Sequence, residues 1–584
     1  VATTLRPLKV VPAERGQASR GQAPRIGPVA VSAFVVAVLA VPVAAGLAGT
    51  LLPAFGYLPA VGASTFGAAA WRELGGTPGF GSSLALTLGT GLAATALSLV
   101  LAWALAAVLQ GHAAGRRLGA ALAPWLAVPH SAIALGLVFL LLPSGWLVRW
   151  VSPSWTGWSA PPDVLTVGHP SGWPLVLGLM VKEVPYLLLM TLAALHQVDA
   201  RRQITMARTL GQGPVSAWVK VVLPQIHRQM RLPVLAVLVF SLTVVDVALV
   251  LGPSAPPTLA VMAVRWLADP DIGRLFPGAA AATLLLVLGL ALIGAASLGE
   301  RFVAWLGRRW VEGGGRGRGP EVVALAAVTL ATGLALLAAL AIVALGVWSF
   351  ADAWRFPHAW PTRWTAAHWV RQSDGLGNPL ATTVVVATAA TLLALVLAIA
   401  LLEARDRMGA ASAGPARWDR FMYVPLVVPQ VAFLFGAQVL LVRLGLDGTW
   451  AAVVWAHLLF TLPYLYLSLA DPWRALDPRY VRTAASLGAS PARVLWRVKL
   501  PILLRPVLIA SAVAFAVSVG LYLPTLFAGA GRVATLTTEA VTLAAGADRR
   551  VIGVWAALQT VLPLAVFALA AVLPRWLQPH RRAW

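Results

Sequence analysis

The 584-residue chain contains no cysteine. That excludes disulfides, thiolate metal sites and cysteine nucleophiles, though it does not by itself fix a compartment. Charge is also scarce. Asp, Glu, Lys and Arg together make up 11% of the residues, against roughly a quarter in an ordinary soluble domain. Lysine is confined to Lys9, Lys182, Lys220 and Lys499, so arginine supplies nearly all of the 44 basic side chains. No Gly-Lys-Ser or Gly-Lys-Thr occurs, so there is no loop of the kind that cradles nucleotide phosphates. No His, Asp and Glu residues fall at metal-ligand spacing, and nothing resembles a nucleophile elbow or a catalytic triad. The expectation is a protein that is not an enzyme and carries no metal or cofactor of its own.

What is present is apolar surface. Hydrophobic residues make up 59% of the chain and the mean hydropathy is +0.81. No soluble fold could hide that much, so a lipid bilayer must be the solvent for much of it. The net charge of +23 could suggest nucleic acid. The basic residues come instead in short bursts between apolar segments, which is the positive-inside pattern of a membrane protein; no nucleic-acid partner is expected.

A spanning helix needs about 20 apolar residues. Twelve candidates fall near 29–50, 82–109, 119–142, 171–196, 231–252 and 276–298, then near 321–349, 379–402, 421–442, 449–470, 505–528 and 551–574. The fold expected is all-α and polytopic, with about twelve transmembrane helices. The basic bursts are Arg6, Lys9, Arg15, Arg20 and Arg25 before the first span, Arg116 and Arg117 after the second, and Arg201, Arg202, Arg208, Lys220 and Arg228 after the fourth. Arg575, Arg581 and Arg582 close the chain. All lie on one face, which should be cytoplasmic and hold both termini. The tail 1–28 is polar and basic, without the form of a cleavable signal peptide. Segments 143–170 and 350–377, on the other face, are rich in Trp, Pro, Gly and Ser, including Trp146, Trp150, Trp155, Trp158, Trp354, Trp360 and Trp364. Such tryptophans suit interfacial anchoring or a docking surface for an external protein.

A Gly- and Arg-rich run at 312–319 reads as a flexible linker between two domains, 29–311 and 320–584. The domains repeat each other in parallel orientation. Gly81-Ser-Ser-Leu-Ala matches Gly377-Asn-Pro-Leu-Ala, Ala94-Thr95 matches Ala390-Thr391, Pro129-His130 matches Pro429-Gln430, and Pro185-Tyr186 matches Pro463-Tyr464. Parallel repeats are common in transporters, whose substrate path lies between the halves.

The most informative segments are the inner loops after the fourth and tenth spans. One reads Ala207-Arg-Thr-Leu210-Gly211, Pro214, then Val221-Val-Leu223-Pro224. The other reads Ala484-Ala-Ser-Leu487-Gly488, Pro491, then Val498-Lys-Leu500-Pro501. They align without a gap. Glycine permits a positive φ and a sharp helix stop, and each proline suits the first turn of a second helix, which Val221 and Val498 make apolar on one side. The closing Leu-Pro is expected to end that helix where the chain re-enters the membrane. The product is a short, bent, cationic helical pair built to be gripped by a partner.

This doubled pattern resembles the EAA loop of the permease subunits of binding-protein-dependent ABC importers, and the single chain resembles the fused thiamine-type and ferric-iron-type permeases. The resemblance implies the fold of a type I importer and two six-helix repeats. It also implies two separate ATPase subunits that bind ATP and Mg²⁺ and receive the loops, and a periplasmic or extracellular solute-binding protein that carries most of the selectivity. The expected location is the bacterial cytoplasmic membrane. Where the family pattern has glutamate, this chain has Thr205 and Arg482, so any salt bridge made by that acid is missing. An alternative is an ion-gradient-driven carrier of the major-facilitator type, which also has twelve spans in two parallel halves. Only fragments of its loop motif occur here, at Gly115-Arg116-Arg117 and Asp406-Arg407-Met-Gly409.

Ionisable groups within spans are costly and usually functional. Lys182 and Glu183 fall in the fourth span and Asp246 in the fifth. Lys182 or Glu183 is expected to pair with Asp246, or these groups line the translocation path together with His130 and Gln430. His130 and His457 read more readily as buried hydrogen-bonding groups than as metal ligands.

Overall fold

The computed structural model describes residues 26–109, 125–314, 321–408, 421–546 and 548–577. The basic tail to Arg25, the pair Arg116 and Arg117, the linker from residue 315 onward and Arg581 and Arg582 lie outside the described residues. Apart from two isolated bridges, the described residues are helices and their connections. The first half contributes α1 (Ile26–Ala54), α2 (Phe80–Leu109), α3 (His130–Leu141), α4 (Trp173–Leu195), α5 (Ala200–Thr209), α6 (Leu223–Thr243) and α7 (Leu275–Glu312). The second contributes α8 (Glu321–Phe350), α9 (Ala367–Met408), α10 (Gln430–Arg443), α11 (Trp450–Arg474), α12 (Pro478–Ser486), α13 (Leu504–Gly520) and α14 (Arg549–Leu577) in the same order.

Among the described residues nine helices are long and apolar enough to cross a membrane unbroken. A tenth pass counts if Pro491–Ile502 and Leu504–Gly520, bent by 79°, form one. The interrupted segments are those near 231–252, 421–442 and 505–528, and the one near 119–142 is likewise interrupted at Pro129, just before its unbroken helix begins at His130. Helix α6 stops at Thr243 because Val244 is extended, and the chain resumes as Asp246–Leu251. Helix α13 stops at Gly520 before an extended Leu521 and resumes as Leu523–Gly529. In the 421–442 segment, Pro429 forces the preceding Val428 out of helical geometry, as proline does. Hydropathy does not register these breaks, since both flanks of each are apolar.

The short helices beyond the breaks also begin with free backbone amides, and the two halves satisfy them alike. The amide of Leu259, opening the helix Leu259–Leu267, donates to Thr87 Oγ1 at 2.8 Å. The amide of Leu536, opening Leu536–Leu543, donates to Thr383 Oγ1 at 2.9 Å. Thr87 and Thr383 are equivalent in the Gly81/Gly377 register, so the repeat extends from sequence to hydrogen bonding.

The first helix of each half packs on the other half. Helix α1 lies along α10, and α8 lies along α3. Both contacts are backbone-close and made by glycine. A β-carbon on Gly436 would collide with the Gly46 carbonyl, and one on Gly136 with the Ala341 carbonyl. Gly136 and Gly436 are equivalent in the Pro129/Pro429 register. Small residues allow such approach between membrane helices, where dispersion replaces the hydrophobic drive. The Gly436 amide also donates to Thr50 Oγ1 at 3.1 Å. One apolar core therefore runs through both halves.

On the tryptophan-rich face, the expected anchoring fits only part of the set. Trp155, Trp158, Trp360 and Trp364 are exposed, but Trp146 and Trp354 are buried. Trp146 Nε1 donates to the Ala359 carbonyl at 2.9 Å. The buried Arg149 guanidinium lies 5.0 Å from the Trp354 ring centre and 5.8 Å from that of Trp348. Arg549 donates to Ser144 Oγ at 2.7 Å. These side chains clasp the first half's 144–151 segment to the second half rather than to lipid, because a guanidinium buried beside carbonyls and ring faces keeps favourable partners.

The glycine contacts are testable. Gly436→Ala should destabilise the protein by about 1–3 kcal/mol through overpacking. Gly333→Ala, at a position with open space around it, should be neutral. Thermal unfolding of the detergent-solubilised variants reads both.

Candidate functional site

The two inner loops have the same architecture, and each motif residue has a local reason. Helix α5 is capped by Asp199, whose carboxylate accepts from the Arg202 amide, and α12 by Asp477, which accepts from the Arg479 amide. Each helix ends at a leucine followed by a left-handed glycine: Leu210 and Gly211 at φ +84°, Leu487 and Gly488 at φ +79°. The Gly211 amide donates to the Arg208 carbonyl and the Gln212 amide to that of Ala207. In the second loop the Gly488 amide donates to Ala485 and the Ala489 amide to Ala484. This is the Schellman closure, which satisfies the last carbonyls of a helix and needs a positive φ at its turning residue. Ala207, at the closing carbonyl of the first loop, is buried, and only a small side chain fits there. Leu210 is 74% exposed and Leu487 82%, so each turn presents a bare leucine among arginines. Thr205 and Arg482, at the position of the missing acid, are exposed, and the Thr205 hydroxyl donates to the Arg201 carbonyl at 2.9 Å.

Pro214 and Pro491 occupy the first turn of the second helix, as expected. The expectation that Leu-Pro ends this helix is corrected. Through Trp218–Val222 and Leu495–Lys499 the helix widens into π geometry and continues into Leu223-Pro224 and Leu500-Pro501. A proline ring crowds the carbonyl four residues before it, and a π turn shifts the bonding to five residues. The Leu223 amide accordingly bonds Trp218, and the Leu500 amide Leu495. Val221 and Val498 lie within these π turns, half-buried.

Comparison with known proteins decides the family. Residues 416–582 match the model of the binding-protein-dependent transport system inner membrane component. The inner membrane ABC transporter permease protein YnjC of Escherichia coli is 34% identical over 507 residues, covering 87% of this chain and 90% of the relative. The chain belongs to the ABC transporter inner-membrane permeases. The molybdenum transport system permease protein ModB of Mycobacterium tuberculosis is 34% identical over 191 residues, 30% of this chain and 70% of the relative. The spermidine/putrescine transport system permease protein PotC of Escherichia coli is 27% identical over 116 residues, 20% of this chain and 42% of the relative. The permease is thus a multi-pass inner-membrane protein of a binding-protein-dependent transport family, and the major-facilitator alternative loses its support.

The intramembrane ionisable groups of the permease pair differently from the expectation. Lys182 does not meet Asp246. It donates to the carbonyls of Trp125, Leu126 and Val128 at 3.3, 3.2 and 2.6 Å, the backbone groups left over where the chain breaks at Pro129. Glu183, on the diverging face of α4, lies 3.4 Å from His130 Nε2. Asp246 stands at the break after α6, where it interacts with His130 and Tyr522 through space. Tyr186 and Tyr464, repeat equivalents on α4 and α11, interact with each other and with Glu183. His130, Glu183 and Asp246 are therefore gathered at the junction of the halves, with tyrosines from both, while Lys182 is occupied by backbone. Gln430 is half-buried at the start of α10. His457 is wholly enclosed, bonded to Ser518 Oγ at 2.7 Å and Thr525 Oγ1 at 2.9 Å.

Sequence reasoning missed what fastens the loops to the bundle. Lys220 lies over the Trp310 ring at 4.5 Å, and Lys499 meets Glu403 and Asp406 at 2.7 and 2.6 Å. The rarity of lysine was a usable signal: three of the four make specific contacts across elements.

Lys182→Met should cost about 2 kcal/mol or more, because it strands buried carbonyls. Glu183→Gln, which can still accept from His130, should cost less than about 1 kcal/mol. Thermal unfolding compares them. An unaltered midpoint for Lys182→Met, with uptake lost, would place Lys182 in the path instead.

Proposed function

We propose that this chain is a fused two-domain permease of an importer, with domains 29–311 and 320–584 joined by 312–319. Substrate passes between the halves, and separate ATPase subunits drive the cycle. The chain itself is not an enzyme; ATP and Mg²⁺ belong to the partner subunits. The loops Ala207–Pro224 and Ala484–Pro501 each dock into one ATPase subunit, giving two per permease. A solute-binding protein delivers substrate to the opposite face, and both termini are cytoplasmic.

The observation that carries this reading is the doubled, exposed Schellman turn bearing a bare leucine on a cationic helix pair. An isolated amphipathic loop would turn its leucine toward lipid or core. Here two equivalent loops share the same turn and the same exposure, as a pair of identical receptors would require.

Two experiments test it. Gly211→Val and Gly488→Val should still insert, while uptake and substrate-stimulated ATP hydrolysis fall together by about tenfold, since a left-handed residue costs a β-branched side chain roughly 1–2 kcal/mol. Thr205→Ala and Arg482→Ala should lose less. Normal transport by the glycine variants in reconstituted vesicles would sink the docking role. Separately, Ser490→Cys in this cysteine-free chain should react with a membrane-impermeant maleimide only in inside-out vesicles. Ser216 is a poorer site because it is buried and donates to Gln212. External labelling at position 490 would invert the topology.

A further inference from the structure

The two coupling loops share a backbone but differ in what packs against the bundle at the end of the π turn, although Lys220 of the first also lies over the Trp310 ring at 4.5 Å. In the second half, the buried Lys499 ammonium donates to Glu403 Oε2 at 2.7 Å and to Asp406 Oδ2 at 2.6 Å, both on α9. Asp406 Oδ2 also accepts from Trp473 Nε1 of α11 at 3.0 Å, and Lys499 lies 5.2 Å from the centre of that ring. Arg407 holds the other oxygen of Glu403 at 3.3 Å. Three elements, α9, α11 and the coupling loop, therefore meet at one ammonium.

Among the described residues the same junction in the first half is apolar; the counterpart of Asp406 in the Ala94/Ala390 register, Gln110, lies outside them. The Leu223-Pro224 register puts Val222 opposite Lys499. The Ala94/Ala390 register puts Ala107 opposite Glu403, and the Pro185/Pro463 register puts Leu195 opposite Trp473 and Leu188 opposite Tyr466. Val222 and Leu188 are buried in one apolar cluster, with Ala107 and Leu195 packed against it. A second difference lies along the chain. Helix runs without interruption from Pro214 through the π turn to Thr243, so the first loop is one piece with α6. In the second loop the helix breaks at Leu503 and turns by 79° before α13.

We infer that Lys499 is a positioning residue that clamps the second coupling loop to α9 and α11, so that this loop transmits ATPase motion through an ionic clamp while the first transmits it along a continuous helix. The inference rests on the coupling reading above. Apolar contacts are non-directional, and a bend uncouples one helix from the next. A charged, doubly hydrogen-bonded ammonium fixes both distance and direction. The second loop needs such a link because its own helix does not continue.

The test replaces the clamp by the first half's chemistry, Lys499→Val with Glu403→Ala. Removing both partners avoids the uncompensated buried charge that a single change would leave, and Asp406, half-exposed, retains Trp473. The complete transporter, with its ATPase subunits and binding protein, is reconstituted in vesicles. Substrate imported per ATP hydrolysed is compared with the parent. The expected result is a fall of about tenfold in that ratio, within the usual range of coupling between sites, with recovery in Lys499→Arg on the unaltered partners. An unchanged ratio overturns the clamp. If the double variant does not assemble, Asp406→Ala decides: the ratio should fall about fivefold, and an unchanged ratio again overturns the proposal. Parent uptake that needs no ATPase subunit would mean that the coupling reading itself has failed. ATP-driven parent uptake with an unaltered ratio in the variants would fail the clamp alone.

Discussion

A backbone amide or carbonyl freed inside hydrocarbon has no water to turn to, and leaving it unpaired costs several kcal/mol. Much of this permease follows from that constraint. Its inter-half region is built from broken helices, and each break needs a side chain to complete it. Lys182 serves the carbonyls before Pro129. Thr87 and Thr383 receive the opening amides of Leu259 and Leu536. The Thr537 hydroxyl donates to the Val519 carbonyl just before α13 ends. These polar residues, which look out of place in an apolar sequence, are thus repairs to the backbone. The groups left to face the junction are Glu183, His130, Asp246 and the tyrosines around them.

The repeat preserves geometry more faithfully than chemistry. Gly136 and Gly436 make matching close approaches, and Gly211 and Gly488 matching turns. In the register that aligns Pro185 with Pro463, however, Lys182 corresponds to Phe460 and Glu183 to Thr461. Backbone constraints tolerate few solutions: only glycine fits under a neighbouring carbonyl or turns left-handed without strain. A buried side chain, by contrast, can be replaced by any group that fills the space and satisfies its own polar atoms. Two halves of one fold can therefore diverge at Val222 and Lys499 while every turn around them superposes in sequence.

What was legible in the sequence divides along the same line. The inner loops could be read residue by residue because their shape is set by local rules: a glycine that must turn, a proline that must begin a helix, and a fixed interval between them. The helical class and the apolar segments followed from composition and run length. The breaks at Val244 and Leu521 were hidden, since Val and Leu carry no turn signal, and so was the fastening of the helices that follow, whose opening amides at Leu259 and Leu536 bond Thr87 and Thr383 more than 150 residues away. The π turns were hidden because a proline inside a helix reads as a stop, whereas here the helix continues past it with its bonding shifted to five residues. The pairing of Lys182 was misjudged for a related reason. Spacing shows which charges share a span, but the partner here is backbone that exists only once Pro129 has interrupted its helix. The Trp146–Arg149 clasp likewise joins segments about 200 residues apart, and composition shows its tryptophans without showing which face inward.

These facts together give the first half a definite mechanical character. Helix α6 has 21 residues, so at 1.5 Å per residue it spans about 30 Å, roughly the thickness of the hydrocarbon. One end is the π turn of the first loop, and the other is the break before Asp246. This continuous helix, with one proline inside it at Pro233, links the loop to the junction of the halves. At that junction the chain is already broken, and the residues meeting there are held by side chains rather than by a helical ladder. The backbone is already interrupted beside His130, Glu183 and Asp246, whereas the glycine contacts between α1 and α10 and between α3 and α8 are closely packed. Those contacts have no spare volume and must move as rigid bodies. A continuous helix, an interrupted junction and a tightly packed seam are the elements on which the proposed coupling draws.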